Sequence, residues 1–171
     1  MFIQILGALM VLASSTLIGT YFGSAHGYRA KDLLQLRKAL VILKGEIEYT
    51  LTPLSQACAN VAERVLSPIA EIFLDLSYLL NERVPPEQAM YSAIAKHKTN
   101  TYLSKDDIAQ LQSLAKTLGY LDKNLQTNTL ELTIKYLDDN IKEQMDLHIK
   151  NKKLYQTLGV LGGMLVIIVL L

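Results

Sequence analysis

Residues 30–50 read AKDLLQLRKALVILKGEIEYT, and the spacing of their apolar side chains decides the fold. Leu33, Leu36, Leu40, Leu43 and Ile47 return at steps of three and four, which lays one apolar stripe along a helix. A strand needs apolar and polar residues in alternation, and no segment between Arg29 and Lys153 sustains it. The stretch predicts a helix over Ala30–Thr50 and, because the same spacing recurs downstream, an all-α domain.

Further along, helix starts and stops divide the chain. Thr52-Pro53 reads as an N-cap followed by proline at the first helical position, Ser67-Pro68 repeats the device, and Pro85-Pro86 before Glu87 begins a further helix. Ser104, with Asp107 three residues on, reads as a capping box ahead of Ile108, Leu111, Leu114, Ala115 and Leu118, with Gly119 closing that helix. From Asp122 the stripe Leu130, Ile134, Leu137, Ile141, Met145 and His148 continues without a breaker toward Leu154. The expectation is a bundle of about six helices over residues 29–153, large enough for a core of its own.

The chain has 171 residues, half of them apolar, yet no charged side chain precedes Arg29 or follows Lys153. The apolar excess therefore sits at the ends. Phe2–Phe22 reads FIQILGALMVLASSTLIGTYF and Leu154–Leu171 reads LYQTLGVLGGMLVIIVLL, each close to the ~20 residues that span a hydrocarbon core. A cleaved signal peptide ending near Gly23-Ser24-Ala25 competes for the first segment. That reading is opposed by the lack of a preceding Lys or Arg and by a run longer than the ~7–15 residues of a signal core. Arg29, Lys31, Arg37 and Lys38 follow the first segment, while Lys150, Lys152 and Lys153 precede the second. The positive-inside rule then predicts transmembrane helices at 2–22 and 154–171 with the bundle at 29–153 in the cytoplasm. Small residues four apart, Gly19 and Gly23 after Ser15 in the first span and Gly159 with Gly163 in the second, let helix backbones approach closely. Glycine is also common in membrane helices for other reasons.

Chemistry leaves few marks. Seventeen basic residues against sixteen acidic ones form no dense basic stripe, which excludes nucleic acid as an expected partner. Cys58 is the lone cysteine, so the chain has no internal disulfide and no cysteine zinc site, and a buried apolar role is expected. His26, His97 and His148 are far apart, and no metal site is expected. A glycine-rich phosphate loop with lysine, a serine elbow and a dinucleotide fingerprint are all lacking, so neither a cofactor nor an enzymatic activity is expected. Glu46 with Glu48, Asp106 with Asp107, and Asp138 with Asp139 are too close in sequence to share a helix face. The segment 63–87 is different, because Glu63, Glu71, Asp75, Glu82 and Glu87 meet only Arg64 and Arg83 there. Such an acidic surface steers a basic partner, although exposed charge also serves solubility.

Three stretches carry a further signal. The first is Leu36-Arg37-Lys38-Ala39-Leu40 with Glu46-Ile47, Tyr49, Thr52-Pro53-Leu54 and Ala57. Next comes Leu118-Gly119 with Asp122 and Gln126, and the close is Lys153-Leu154-Tyr155 with Leu158-Gly159-Val160 and Gly162. In this order they resemble a known family, the stage III sporulation protein AB family. The chain departs from the family pattern at Met90-Tyr91, where a tryptophan is expected, and at Leu121, where a small residue is usual. The resemblance implies a cytoplasmic helical bundle similar to the F-domain of type II secretion and type IV pilus platform proteins. It implies a non-enzymatic role in the channel complex that joins mother cell and forespore during sporulation. The implied partners are the other proteins of that complex, a cytoplasmic secretion-type ATPase, and the lipids of the mother-cell membrane around the forespore. Glu46, Asp122 and Gln126 fall on polar family positions and join Glu71, Asp75, Glu82 and Glu87 as partner-binding candidates. Asp122 also reads as a helix cap, with Gln126 bracing it. A membrane-tethered signalling adaptor is the alternative function, and it requires an extracytoplasmic sensor.

Overall fold

The computed structural model describes residues 14, 25–50, 52–119 and 122–170, with side chains at 14, 27–50, 52–119, 122–150, 154, 157 and 161. Among them are six α-helices and no strand: α1 Ala25–Gly45, α2 Leu54–Ala62, α3 Ile69–Asn81, α4 Pro86–His97, α5 Lys105–Thr117 and α6 Lys123–Leu170. A π-helical turn, Glu46–Thr50, extends α1, and a 3₁₀ turn, Lys98–Asn100, follows α4. The all-α expectation holds, and the unbroken stripe after Asp122 is one helix. There are two compact units, one of Met1–Tyr28 with Lys142–Leu171 and the other of Arg29–Ile141.

The Arg29–Ile141 unit contains the core. Leu33, Leu36, Leu40, Leu43 and Ile47 are all buried, as their spacing requires. They join Ala57, Cys58 and Val61 of α2, Phe73 and Leu76 of α3, Met90 and Ile94 of α4, Leu111 and Leu114 of α5, and Leu130 and Leu137 of α6 in one cluster. Helices joined by short connections pack on each other, α2 on α3, α3 on α4 and α4 on α5. At the surface, α1 and α6 are tied by Lys44–Glu131 at 3.0 Å and by Arg37–Asp138. Seven residues separate the pairs on each helix, about two turns, which gives an antiparallel register.

Ends of helices follow the sequence in one case and depart from it in others. The capping box is formed: the Asp107 N–H donates to Ser104 Oγ at 3.1 Å and the Ser104 N–H to Asp107 Oδ2 at 2.8 Å. Thr52 and Ser67 are not the caps expected of them. Pro53 and Pro68 occupy the cap positions themselves, without a side-chain bond, and the Thr52 hydroxyl instead donates to Glu46 Oε2 at 3.1 Å. Gly119 does not close α5 with a left-handed turn, since no described glycine has positive φ. Its missing side chain makes room for Pro86, whose Cγ would lie 3.3 Å from a Cβ there. The left-handed residue is Arg83, at φ 64. Its N–H donates to Leu80 O at 3.0 Å and that of Val84 to Leu79 O at 3.0 Å, the two bonds of a Schellman turn closing α3.

In the other unit, Gly27 sits against His148, because a Cβ on Gly27 would lie 3.1 Å from His148 Cε1. Among the described residues, no helix is long and apolar enough to cross a membrane. Apart from Ser14, residues 2–22 lie outside those described, and so do Gly19 and Gly23. Gly159 and Gly163 fall within α6. The two expected flanking spans are therefore carried by the sequence alone.

Candidate interaction surface

The sequence-predicted polar residues form two groups. The first gathers where α1 ends. Thr50 Oγ1 donates to the Glu46 carbonyl, which competes with the ordinary i→i+4 backbone bond and suits the wider π turn there. Glu46 is buried, and its Oε2 accepts from Thr50 Oγ1 at 3.2 Å, Thr52 Oγ1 at 3.1 Å and Asn60 Nδ2 at 3.1 Å, while Arg64 Nη1 lies 4.0 Å from Oε1. Burial pushes this carboxyl up, but the bonds from Asn60, Thr52 and Thr50, with the Arg64 charge, outweigh it and hold it below the usual range. Glu46 thus ties α1 to α2 through its carboxylate.

Asp122 caps α6, as its alternative reading expected. Its Oδ1 accepts from the N–H groups of Asn124 at 2.9 Å and Leu125 at 3.3 Å, and the Gln126 N–H donates to the Asp122 carbonyl at 3.2 Å. Lys123 Nζ donates to the Glu48 carbonyl, so Asp122 lies next to a residue that reaches the π turn holding Glu46.

The second group is the acidic run on α3 and the start of α4. Lys96, His97 and Lys116, all from beyond the segment, reach three of its carboxylates. Asp75 Oδ2 meets Lys96 Nζ at 2.8 Å and His97 Nε2 at 2.7 Å, Glu71 Oε2 meets His97 Nδ1 at 3.2 Å, and Glu87 meets Lys116 at 3.7 Å. Partial burial pushes the Asp75 carboxyl up, but its bonds from Lys96 and His97 bring it below the usual range. Glu82, exposed at the end of α3, makes no ion pair among the described residues. With Asp75, Tyr78, Leu79, Ser92, Ala93 and Lys96 it lines an open groove of about 220 Å³ between α3 and α4.

Sequence reasoning missed His97. Its signal was available, because a short turn between two helices makes residues equidistant from that turn face each other; Glu71 and Lys96 are so placed, His97 follows Lys96 and Asp75 lies one helical turn from Glu71. It also missed Arg29 as a structural group. Cys58 is fully buried, and burial pushes its thiol up to about 12, which matches its expected inert role. Among the described residues, no cluster of His, Cys, Asp or Glu is arranged to hold a metal.

Comparison with known proteins gives a consistent answer. The family model for stage III sporulation protein AB matches residues 4–171. Stage III sporulation protein AB of Bacillus subtilis (strain 168) is 27% identical over 170 residues, covering 99% of this chain and 99% of that protein. A solved structure of a stage III sporulation protein AB (SpoIIIAB) is similar with a TM-score of 0.66 and 26% identity, covering 71% of this chain and 97% of that one.

Proposed function

The chain belongs to the stage III sporulation protein AB family, and from that premise we propose that it is a non-enzymatic membrane platform of the mother cell–forespore channel complex. Its two apolar segments, 2–22 and 154–171, anchor it in the mother-cell membrane around the forespore. The bundle between them faces the cytoplasm and positions a secretion-type ATPase.

The distribution of carboxylates carries this reading. Glu46 and Asp107 are buried and bonded within their own chain, whereas among the described residues Glu82 makes no ion pair and Glu87 has a long, exposed one with Lys116. Exposed pairs of that kind contribute little to stability, about 0–1 kcal/mol, so these side chains are free to serve association. An acidic edge of this kind steers a basic partner and fixes its orientation more than it raises affinity.

The test is a pull-down of the full chain in detergent micelles with the candidate ATPase, comparing the natural sequence with Glu82→Lys and Glu87→Lys. Both positions are exposed, and circular dichroism checks that the helices persist. Binding that the folded variants lose supports the platform reading with the motor on this edge. Binding that survives both reversals moves the motor to another face. No binding at tens of micromolar removes the contact and leaves anchoring through the two apolar segments.

A further inference from the structure

Glu71 and Asp75 stand four residues apart and share one face of α3. Both reach His97, the last residue of α4, at the open end of the α3–α4 hairpin. Nε2 lies 2.7 Å from Asp75 Oδ2 and Nδ1 lies 3.2 Å from Glu71 Oε2. The ring is only 12% exposed, so water does not readily replace either partner.

An ionised carboxylate offers only lone pairs. A neutral imidazole carries one N–H and presents a lone pair at its other nitrogen, whereas the imidazolium carries two N–H groups. Both contacts are therefore attractive only in the charged form. The end of α4 adds to this, because unsatisfied carbonyls at a helix C-terminus favour a cation. Burial of the ring and Lys96, 2.8 Å from the same Asp75 oxygen, act against it. From α5, which packs on α4, no charged group is paired with the ring. Asp107 is held by Arg29 and Lys116 by Glu87, while Lys105 and Asp106 are exposed, as is Lys98 of the 3₁₀ turn.

We propose that His97 is a pH-sensitive clasp on the α3–α4 hairpin, closed through both carboxylates as the imidazolium and holding only Asp75 once its proton passes to solvent. The neutral ring keeps Nε2–H toward Asp75, the nearer acceptor, and releases Glu71. Asp75 and Lys96 both line the α3–α4 groove, so the clasp sets the shape of that groove at the end opposite the Glu82–Pro85 turn. The inference stands on these contacts and is independent of which partner the bundle receives.

Imidazole nitrogen NMR on the full chain in detergent micelles, taken across about pH 5.5–8.5 where histidine ordinarily titrates, tests it. His97→Gln assigns the signals. The expected result is two protonated ring nitrogens at the acid end and the Nε2–H tautomer at the alkaline end. Amide-exchange protection of the last turn of α4, corrected for intrinsic rate, then falls about threefold or more across the same titration, as loss of one hydrogen bond implies. In His97→Gln that protection is flat with pH. Glu71→Gln, at a half-exposed position, is expected to stay folded and to move the His97 midpoint to lower pH. A ring that stays neutral throughout, protection that ignores its titration, or a midpoint unmoved by Glu71→Gln would each overturn the clasp.

Discussion

Arg29 and Asp107, 78 residues apart in the chain, meet through a single carboxylate oxygen: Arg29 Nη2 donates to Asp107 Oδ2 at 3.0 Å and Nε donates to it at 3.3 Å. Asp107 has no exposed surface, and the same oxygen accepts the Ser104 N–H that completes the cap of α5. Arg29 Nη2 also donates to Ser104 Oγ at 3.1 Å, and the Tyr136 hydroxyl reaches Asp107 Oδ1 at 3.5 Å. One arginine thus neutralises a buried charge and fixes the start of a helix.

Removing that arginine strands the carboxylate. Breaking a buried pair from one side typically costs about 3–5 kcal/mol, and water admitted where Arg29 is partly exposed brings the expected loss for Arg29→Ala to roughly 2–4 kcal/mol. Arg29→Lys restores only part, because an ammonium cannot give two forked N–H groups. Denaturant unfolding of the full chain checks this. A loss under about 0.5 kcal/mol would mean that the cap bonds alone satisfy Asp107.

Arg83 carries the opposite expectation. It occupies the left-handed position of a Schellman turn, where a side chain strains the backbone and glycine does not. It is exposed and makes no ion pair among the described residues, so little is given up by replacing it. Arg83→Gly is expected to stabilise the bundle by about 0.5–1 kcal/mol, the strain relieved less the extra freedom of the unfolded chain. A thermal midpoint that falls would show that the arginine side chain is holding something the backbone argument leaves out.

These two residues mark the limit of what was legible in the sequence. The stripe from Leu33 to Ile47, the capping box at Ser104 and the run from Asp122 are local patterns, and each is in the fold. Arg29 reads in sequence as one of several basic residues flanking an apolar segment, and nothing local says that its charge is taken up by Asp107. The acidic run was read from its own segment, while the bases that pair with it lie outside. Left-handed Arg83 was hidden for a different reason, since the statistics of helix ends point to glycine and the chain puts arginine there.

Gly45 ends α1, and nothing lies within 4 Å of a Cβ built on it. Glycine in a helix is less favourable than alanine by roughly 0.5–1 kcal/mol. Gly45→Ala is therefore expected to raise stability by about that amount. Gly119→Ala gains the same chain entropy but sets its Cβ 3.3 Å from Pro86 Cγ, and the two effects are expected to cancel to within about 0.5 kcal/mol. The pair is measured side by side by thermal unfolding. Equal gains at both positions would show that Pro86 yields freely.

Asp32 and Glu46 are both buried carboxylates, and their effects on stability run in opposite directions with pH. Burial pushes Asp32 up, and the one bond opposing it, the Tyr102 N–H at 2.7 Å, does not reverse the shift. The folded chain therefore holds that proton more tightly than the unfolded chain does, and the cost of ionising Asp32 appears as pH rises past the unfolded value of about 3.9. Asp32→Asn drops the charge and keeps an oxygen for Tyr102, so it is expected to raise the thermal midpoint at neutral pH, with the advantage gone below about pH 3.9. Glu46, held below the usual range, contributes stability that is full above about pH 4.3 and is lost as pH falls through its lower folded value. Glu46→Gln is accordingly expected to lower the midpoint at neutral pH, with a difference from the natural sequence that narrows under acid. Thermal scans from about pH 3 to 7 read both, over the range where carboxylates titrate. If Glu46→Gln raises the midpoint at neutral pH, the bonds around Glu46 do not outweigh its burial; if Asp32→Asn lowers it, the Tyr102 N–H outweighs the burial of Asp32.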